Sequence, residues 1–279
     1  MSLNENTVEA PCRIYLGTSG YSFPEWIQAG FYPPGTAGKD MLSFYASQFN
    51  AIELNYTWYQ MPKAEAMERM LSRVPPDFVF TAKLTRTMTH EIDPKNWRSQ
   101  VGLFRKGMAP LIQAGRLRAI LVQLSSTFER TRENRIHLAR LLDELKGLPA
   151  AVEFRHRSWS DDRVFVELEK RRVSLVVVDM PTLPNLFPTH AIVTNPELFY
   201  VRFHGRNVTG WRSENMQKKF DYDYSFEELQ PWSEQLIPKM ADKASSGAIF
   251  FNNHVRGQAP HNARLLRDQL AGQGYDIIS

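Results

Sequence analysis

Two glutamates and a lysine are the residues in this sequence best placed to do chemistry: Glu53 in Ile52-Glu53-Leu54-Asn55, Lys83 in Phe80-Thr81-Ala82-Lys83, and Glu153 in Glu153-Phe154-Arg155. Each stands at the end of a short apolar run of the kind that forms a buried strand. Alternation along a strand puts Glu53 and Asn55 on one face, and likewise pairs Thr81 with Lys83, Leu121 with Gln123, Glu153 with Arg155, Val177 with Asp179, Arg202 with His204 and Phe250 with Asn252. Two carboxylates on separate strands suit general acid and base work, and their separation would diagnose a glycosidase-like mechanism. A lysine between them, expected within salt-bridge reach of Glu53 or Glu153, acts as an electrostatic or covalent catalyst, and burial would lower its pKa toward Schiff-base or general-base use. Unpaired burial of such groups is costly, so they form a closed ion network or meet a ligand.

Ligand-binding candidates follow from the same placement: Asn55, Gln123, Arg155, Asp179, Arg202, His204 and Asn252. Tyr21 and Trp58, on the loops that follow, offer rings to stack on a planar or sugar ligand, although loop aromatics such as Trp26, Trp159 and Trp211 equally serve to pack loops onto a rim. The stretch His254 to Pro260 leads into a helix, with Gly257 permitting a turn and Pro260 suited to a first helical turn. An anion is expected there, near Gly257 and Gln258, with Arg202 or Arg256 as partner. The motifs HxH, HxxxH and HExxH are absent, no metal is assigned, and His90, His137, His190 and His261 read as loop or helix-surface residues. Neither Ser19 nor Cys12 has the context of a nucleophile.

The elements that must hold these groups are eight apolar runs: Arg13 to Gly17, Ala51 to Asn55, Phe78 to Lys83, Ala119 to Leu124, Ala151 to Arg155, Ser174 to Asp179, Phe199 to His204 and Ala248 to Asn253. Amphipathic stretches separate most of them: Lys63 to Arg73, Trp97 to Ala114, Arg132 to Lys146, Asp162 to Arg171, Phe226 to Ala244 and Pro260 to Ala271. In Arg132 to Lys146 the apolar face reads as Ile136, Ala139, Leu142 and Leu145, with Thr131 as N-cap. Met180 to Pro196 carries four prolines and no helical period, so an ordered loop replaces a helix there. Strands such as Leu175 to Val178, apolar throughout, are covered on both faces, and eight of them with helices close into a single (β/α)8 TIM barrel over residues 13–279 behind a flexible segment of residues 1–12. A doubly wound open sheet is disfavoured because GxGxxG and GxxxxGK[ST] are both missing.

With 279 residues, 43% of them hydrophobic, the chain builds a full core without disulfides or structural metals. A net charge of +4 is too small to argue by itself for a polynucleotide or an anionic membrane. One cysteine in the whole chain excludes an intramolecular disulfide and favours a reducing, cytoplasmic setting, and no run approaches the length of a membrane helix. The reading that follows is a polar pocket at the barrel mouth for a phosphate-bearing or otherwise anionic small ligand. Its rival is a non-catalytic nucleic-acid binder using Arg155, Arg157, Arg206 and Arg212. Neither a cofactor nor an oligomeric state is specified.

The strand-end segments carry a family resemblance. Gly17-Thr18-Ser19-Gly20-Tyr21 with Trp26, Phe31-Tyr32-Pro33, Ile52 to Tyr59, Phe80 to Lys83, Glu153 to His156 with Ser158-Trp159, Tyr200 to Gly205 and Phe251 to His254 together resemble the YecE-like family, a domain of unknown function. Trp58 stands where that pattern has phenylalanine, and Asn253-His254 where it varies. The resemblance covers nearly the whole chain and implies a TIM barrel, but no reaction. The barrel is similar in outline to the xylose isomerase and endonuclease IV type, which would imply a metal-dependent phosphodiesterase or endonuclease, yet the metal ligands of that type are not matched.

Overall fold

The computed structural model describes residues 11–213 and 215–277; the segment 1–10, which holds most of the expected flexible N-terminal stretch, lies outside the described residues. Eight parallel strands form the sheet: β1 (Arg13–Ser19), β2 (Ala51–Leu54), β3 (Val79–Lys83), β4 (Leu117–Gln123), β5 (Ala150–Glu153), β6 (Ser174–Asp179), β7 (Phe199–Phe203) and β8 (Ser246–Phe251). They run in sequence order, and β1 pairs with both β8 and β2, which closes the barrel. A ninth strand, β9 (Asp276–Ile277), which no apolar run announced, pairs with the start of β1, where Arg13 Nε donates to Asp276 Oδ2 at 2.7 Å. The expected (β/α)8 TIM barrel is thus the observed fold, with helices covering the strands as parallel sheets require. No described helix is long and apolar enough to cross a membrane.

Helix boundaries follow local chemistry. Arg132–Glu144 starts where Thr131 Oγ1 accepts from Asn134 N at 3.2 Å, the cap that the sequence suggested. Its buried face is Leu138, Leu141, Leu142 and Leu145, and Ile136 is exposed. Two apolar stripes at helical spacing were available on this helix, and the all-leucine one packs inward. The stretch Phe226 to Ala244 divides into Phe226–Pro231, a π-helical turn Trp232–Leu236, and Ile237–Ala241. Pro238 has no N–H to give and its ring crowds the carbonyl four residues earlier, at Glu234, so the ladder widens there. After β6 the chain runs to β7 without a helix, as the prolines required; Thr194 ties this loop down by donating to Val173 O and accepting from Leu175 N at 2.6 and 2.8 Å.

Strand register fixes which side chains enter the barrel. Ser19 pairs with Glu53, Glu53 with Thr81, Lys83 with Leu121, and Gln123 with Glu153, all on the inner face with Tyr200 and Arg202. On β6 the parity is opposite to the sequence reading: Val178 pairs with Arg202, and Asp179 pairs with the outward Phe203. Leu175 to Val178 are all buried, so alternation carried no signal there. Asp179 therefore anchors the outer layer, accepting from Arg206 Nε and Nη2 (2.9 and 2.6 Å), Tyr224 Oη (2.8 Å) and Trp232 Nε1 (3.0 Å). Asp179→Ala leaves the buried Tyr224 and Trp232 donors unpaired and is expected to cost about 2–3 kcal/mol in urea unfolding, with Asp179→Asn recovering part. A loss within experimental error would show that this anchor is dispensable.

Candidate functional site

The carboxyl ends of the strands hold a closed ionic layer with Arg202 at its centre. Arg202 Nη1 donates to Glu153 Oε2 and Nη2 to Glu53 Oε1, both at 2.6 Å, and Nη2 also reaches Ser19 Oγ at 2.9 Å. All three charged side chains are buried. Glu53 further accepts from Tyr200 Oη at 2.6 Å and from Ser19 Oγ, and Asn55 Nδ2 donates to Ser19 Oγ at 2.6 Å. Glu153 accepts from Arg155 Nε and lies 3.3 Å from His204 Nε2, whose other ring nitrogen meets the Asn252 amide at 3.1 Å. Burial alone would push the Glu153 carboxyl up, but Arg155, Arg202 and His204 hold it well below the usual carboxylate range. Burial and the two arginines hold His204 well below the ordinary histidine value, so its ring is neutral. Glu53 and Glu153 are thus joined through one guanidinium, and the oxygens of both are taken up by hydrogen bonds within the layer.

Above this layer lies a cavity of about 410 Å³, a volume typical of small-ligand sites. Trp58, Trp211, Phe220 and Phe23 supply aromatic walls, and Lys83, Lys219, Arg155 and His90 supply polar ones. Lys83 points inward, as its parity on β3 dictates, but it makes no salt bridge to either glutamate; its ammonium sits 4.7 Å from the Trp58 ring centre instead. Arg202 saturates the carboxylates that Lys83 was expected to reach. Burial and the nearby Arg202 lower the Lys83 pKa to about 7. Lys219 lies 4.1 Å from the Trp211 ring centre, and burial, helped by Arg155, lowers it to about 8. Burial and the charge of Lys83 bring His90 to about 4.

A second, mostly apolar pocket of about 510 Å³ adjoins the first and shares Phe23, Asn55 and Tyr59 with it. Tyr21 lies there with Tyr56 and Met70, one step removed from the cationic cavity. Trp58, Asn55, Gln123, Arg155, Arg202 and Asn252 all line the first cavity, and His204 backs it through Asn252.

The chain matches the model of a family described as "Protein of unknown function DUF72" over residues 15–277. It belongs to the DUF72 family. A curated relative, UPF0759 protein YunF of Bacillus subtilis (strain 168), is 27% identical over 271 residues, spanning 92% of this chain and 94% of YunF. UPF0759 protein YecE of Escherichia coli (strain K12) is 31% identical over 172 residues, spanning 60% of this chain and 59% of YecE. A crystal structure of a DUF72 family protein from Thermotoga maritima MSB8 superposes with a TM-score of 0.83 at 34% identity, covering 92% of this chain and 99% of that one. The resemblance drawn from the strand-end motifs is therefore correct, and the DUF72 description names no activity.

Within this DUF72 barrel both arginines expected beside the start of the last helix are engaged elsewhere. Arg202 is locked between Glu53 and Glu153, whereas Arg256 is exposed and pairs with Asp221 at 2.6 Å. Gln258, at the start of the helix Gln258–Leu270, is also taken: its side chain accepts from Tyr222 N at 3.0 Å and donates to Asp221 at 2.9 Å. Gly257 is left-handed (φ 74°) and packs so closely that a Cβ would fall 2.6 Å from that of Ala29. Glycine there serves a turn and a close approach, and Asp221 is the counter-charge that an anion was expected to be. Of the four arginines of the nucleic-acid reading, Arg155 is committed to Glu153 and Arg206 to Asp179, whereas Arg157 and Arg212 are exposed and the Arg157 side chain donates only to Pro184 O, at 2.8 Å, among the described residues. Among the described residues no three His, Cys, Asp or Glu side chains converge in a way that could hold a metal ion. Cys12 is half-buried with its thiol pushed up to about 11 by burial, an unreactive state.

Sequence reasoning missed Lys219, His90 and Ser19. His90 follows β3 in a loop and accepts at Nδ1 from Trp58 Nε1 at 3.3 Å, a contact with no local pattern. Lys219 has no local signal either, because the ring it sits over, Trp211, lies in the preceding helical turn and only the fold brings the two together.

Proposed function

We propose that the barrel mouth binds an anionic small molecule bearing a flat or apolar face, with phosphate esters as the leading class. The supporting observation is the charge balance of the cavity wall. Glu53 and Glu153 are matched by Arg202 and Arg155, and the nearby histidines are neutral, which leaves Lys83 and Lys219 with no carboxylate partner among the described residues. Two amines held over indole rings and desolvated by burial lose hydration without gaining a counter-ion, and an anion entering between them supplies it. The Trp58 and Trp211 faces then stack against the rest of the ligand.

The test is a thermal-shift titration with inorganic phosphate and phenyl phosphate. Stabilisation is expected to grow with the logarithm of ligand above its Kd, reaching about 2.7 kcal/mol at a hundredfold excess over Kd. Lys219→Ala should weaken binding at least tenfold, and Arg256→Ala should leave it unchanged because Arg256 faces Asp221 outside the cavity. No shift with either ligand, or equal shifts in wild type and Lys219→Ala, would overturn the reading.

A further inference from the structure

Lys83 is the one charged side chain of the inner strand faces for which the described structure provides neither a hydrogen bond nor an ion pair. It stands at the last residue of β3, its ammonium against the Trp58 ring, at the wall of a cavity that admits a small molecule. Arg202 and Arg155 lie behind it with their charges spent on Glu53 and Glu153. An amine so placed has only the Trp58 face to favour its charge, and its lone pair is a nucleophile at the cavity wall. The lowered pKa, about 7, makes a large share of it neutral at neutral pH.

A carbonyl-polarising donor stands on the same indole. Trp58 Nε1 can only donate, at 3.3 Å, and the Thr89 hydroxyl, 2.9 Å from the same nitrogen, can donate with it, so His90 Nδ1 accepts and the ring's proton resides on Nε2, which has no hydrogen-bond partner among the described residues. The two rings meet edge to face with centres 5.0 Å apart, which fixes the imidazole relative to Lys83 across Trp58. With its pKa brought down to about 4, His90 is a neutral N–H donor, the form that polarises a carbonyl oxygen without protonating it.

We propose that Lys83 forms an imine with an aldehyde or ketone carried by an anionic small molecule, whose charged group is held by Lys219 and whose carbonyl oxygen is oriented by His90. The neutral amine adds to the carbonyl carbon, the displaced electron pair becomes the hydroxyl of a carbinolamine as the amine proton passes to that oxygen, and loss of the hydroxyl with one more proton as water leaves the protonated imine. No oxidant or reductant takes part. The inference rests on the anion-binding reading for the nature of the substrate, and names the chemistry that the site performs on it.

Glyoxylate with cyanoborohydride at pH 7.5 is the probe, since hydride addition to the imine carbon fixes the adduct as a stable secondary amine. One equivalent of label is expected on the peptide carrying Lys83, blocked by phenyl phosphate, absent in Lys83→Arg, and formed at least tenfold more slowly in His90→Phe. Far-ultraviolet circular dichroism of both variants checks that they fold. Label spread over exposed lysines with Lys83 unmodified overturns the imine even where phosphate still raises the Tm, so that the anion reading survives alone. Selective labelling of Lys83 without any phosphate effect on Tm supports the imine and removes the anion reading. Labelling of His90→Phe at the wild-type rate overturns the role given to His90.

Discussion

Arg202→Met is expected to be among the most destabilising single substitutions available in the barrel, costing about 3–5 kcal/mol in urea unfolding at neutral pH. The guanidinium bridges Glu53 and Glu153 with separate nitrogens, each bond 2.6 Å, in a place from which water is excluded. Removing it leaves two buried carboxylates, one of which keeps Arg155 while Glu53 keeps only the neutral donors Ser19 and Tyr200. Adding Glu53→Gln to Arg202→Met should recover a large part of the loss, because the cost lies in the orphaned charge more than in the lost bond. Arg202→Lys should recover less, since a single ammonium cannot reach both carboxylates with the fork geometry of a guanidinium. A loss below about 1 kcal/mol, or a double variant no better than the single one, would mean that the layer is wet enough to solvate its own carboxylates.

The same layer marks how far the sequence could be read. Alternation puts Glu53, Lys83, Glu153, Arg155 and Arg202 on the inner face; register confirms Glu53, Lys83, Glu153 and Arg202, and Arg155, two residues past the end of β5, joins them through its bond to Glu153. Alternation works where polar and apolar residues alternate, as in Ile52-Glu53-Leu54-Asn55, and fails where they do not. Between Leu175 and Val178 every side chain is apolar and buried, so nothing in the sequence distinguishes the two faces, and Asp179 was given the wrong one. Pairing within the face was also beyond reach. The inner groups compete for the same few carboxylate oxygens, and which cation wins depends on side-chain reach across the barrel: Arg202 spans both glutamates and Lys83 is left over. Arg256 illustrates the complementary failure, because its partner Asp221 comes from a connection without periodicity, which only coordinates bring to the start of the last helix.

Sulfate binding should weaken by a factor on the order of several hundred between about pH 7 and pH 9, and the direction follows from the sign of the lysine shifts. Burial with the charge of Arg202 lowers Lys83 to about 7, and burial with that of Arg155 lowers Lys219 to about 8. Both values describe the empty cavity, in which the other facing groups are charge-matched (Glu153 with Arg155 and Arg202) or neutral (His90). An anion favours the ammonium forms, so binding takes up the protons that the free site has lost. The apparent Kd is then nearly flat below about pH 7, rises about tenfold per pH unit above the first pKa, and rises about a hundredfold per unit once both amines are neutral. Sulfate is the suitable probe because its own charge is constant over this range, unlike that of phosphate. With Lys219→Ala only the Lys83 step remains, and the same pH change should weaken sulfate by roughly 50-fold; with Lys83→Met only the Lys219 step remains, and the factor falls to roughly 10. Calorimetry in two buffers of different ionisation enthalpy should show close to two protons taken up per sulfate near pH 9 in the wild type and one in either variant. An anion held instead by arginines, such as Arg256 at the last helix, would bind with a constant Kd and no proton uptake across this range, because a guanidinium stays charged throughout. A flat profile would therefore take the anion off both lysines, and two separable steps would assign one to each lysine.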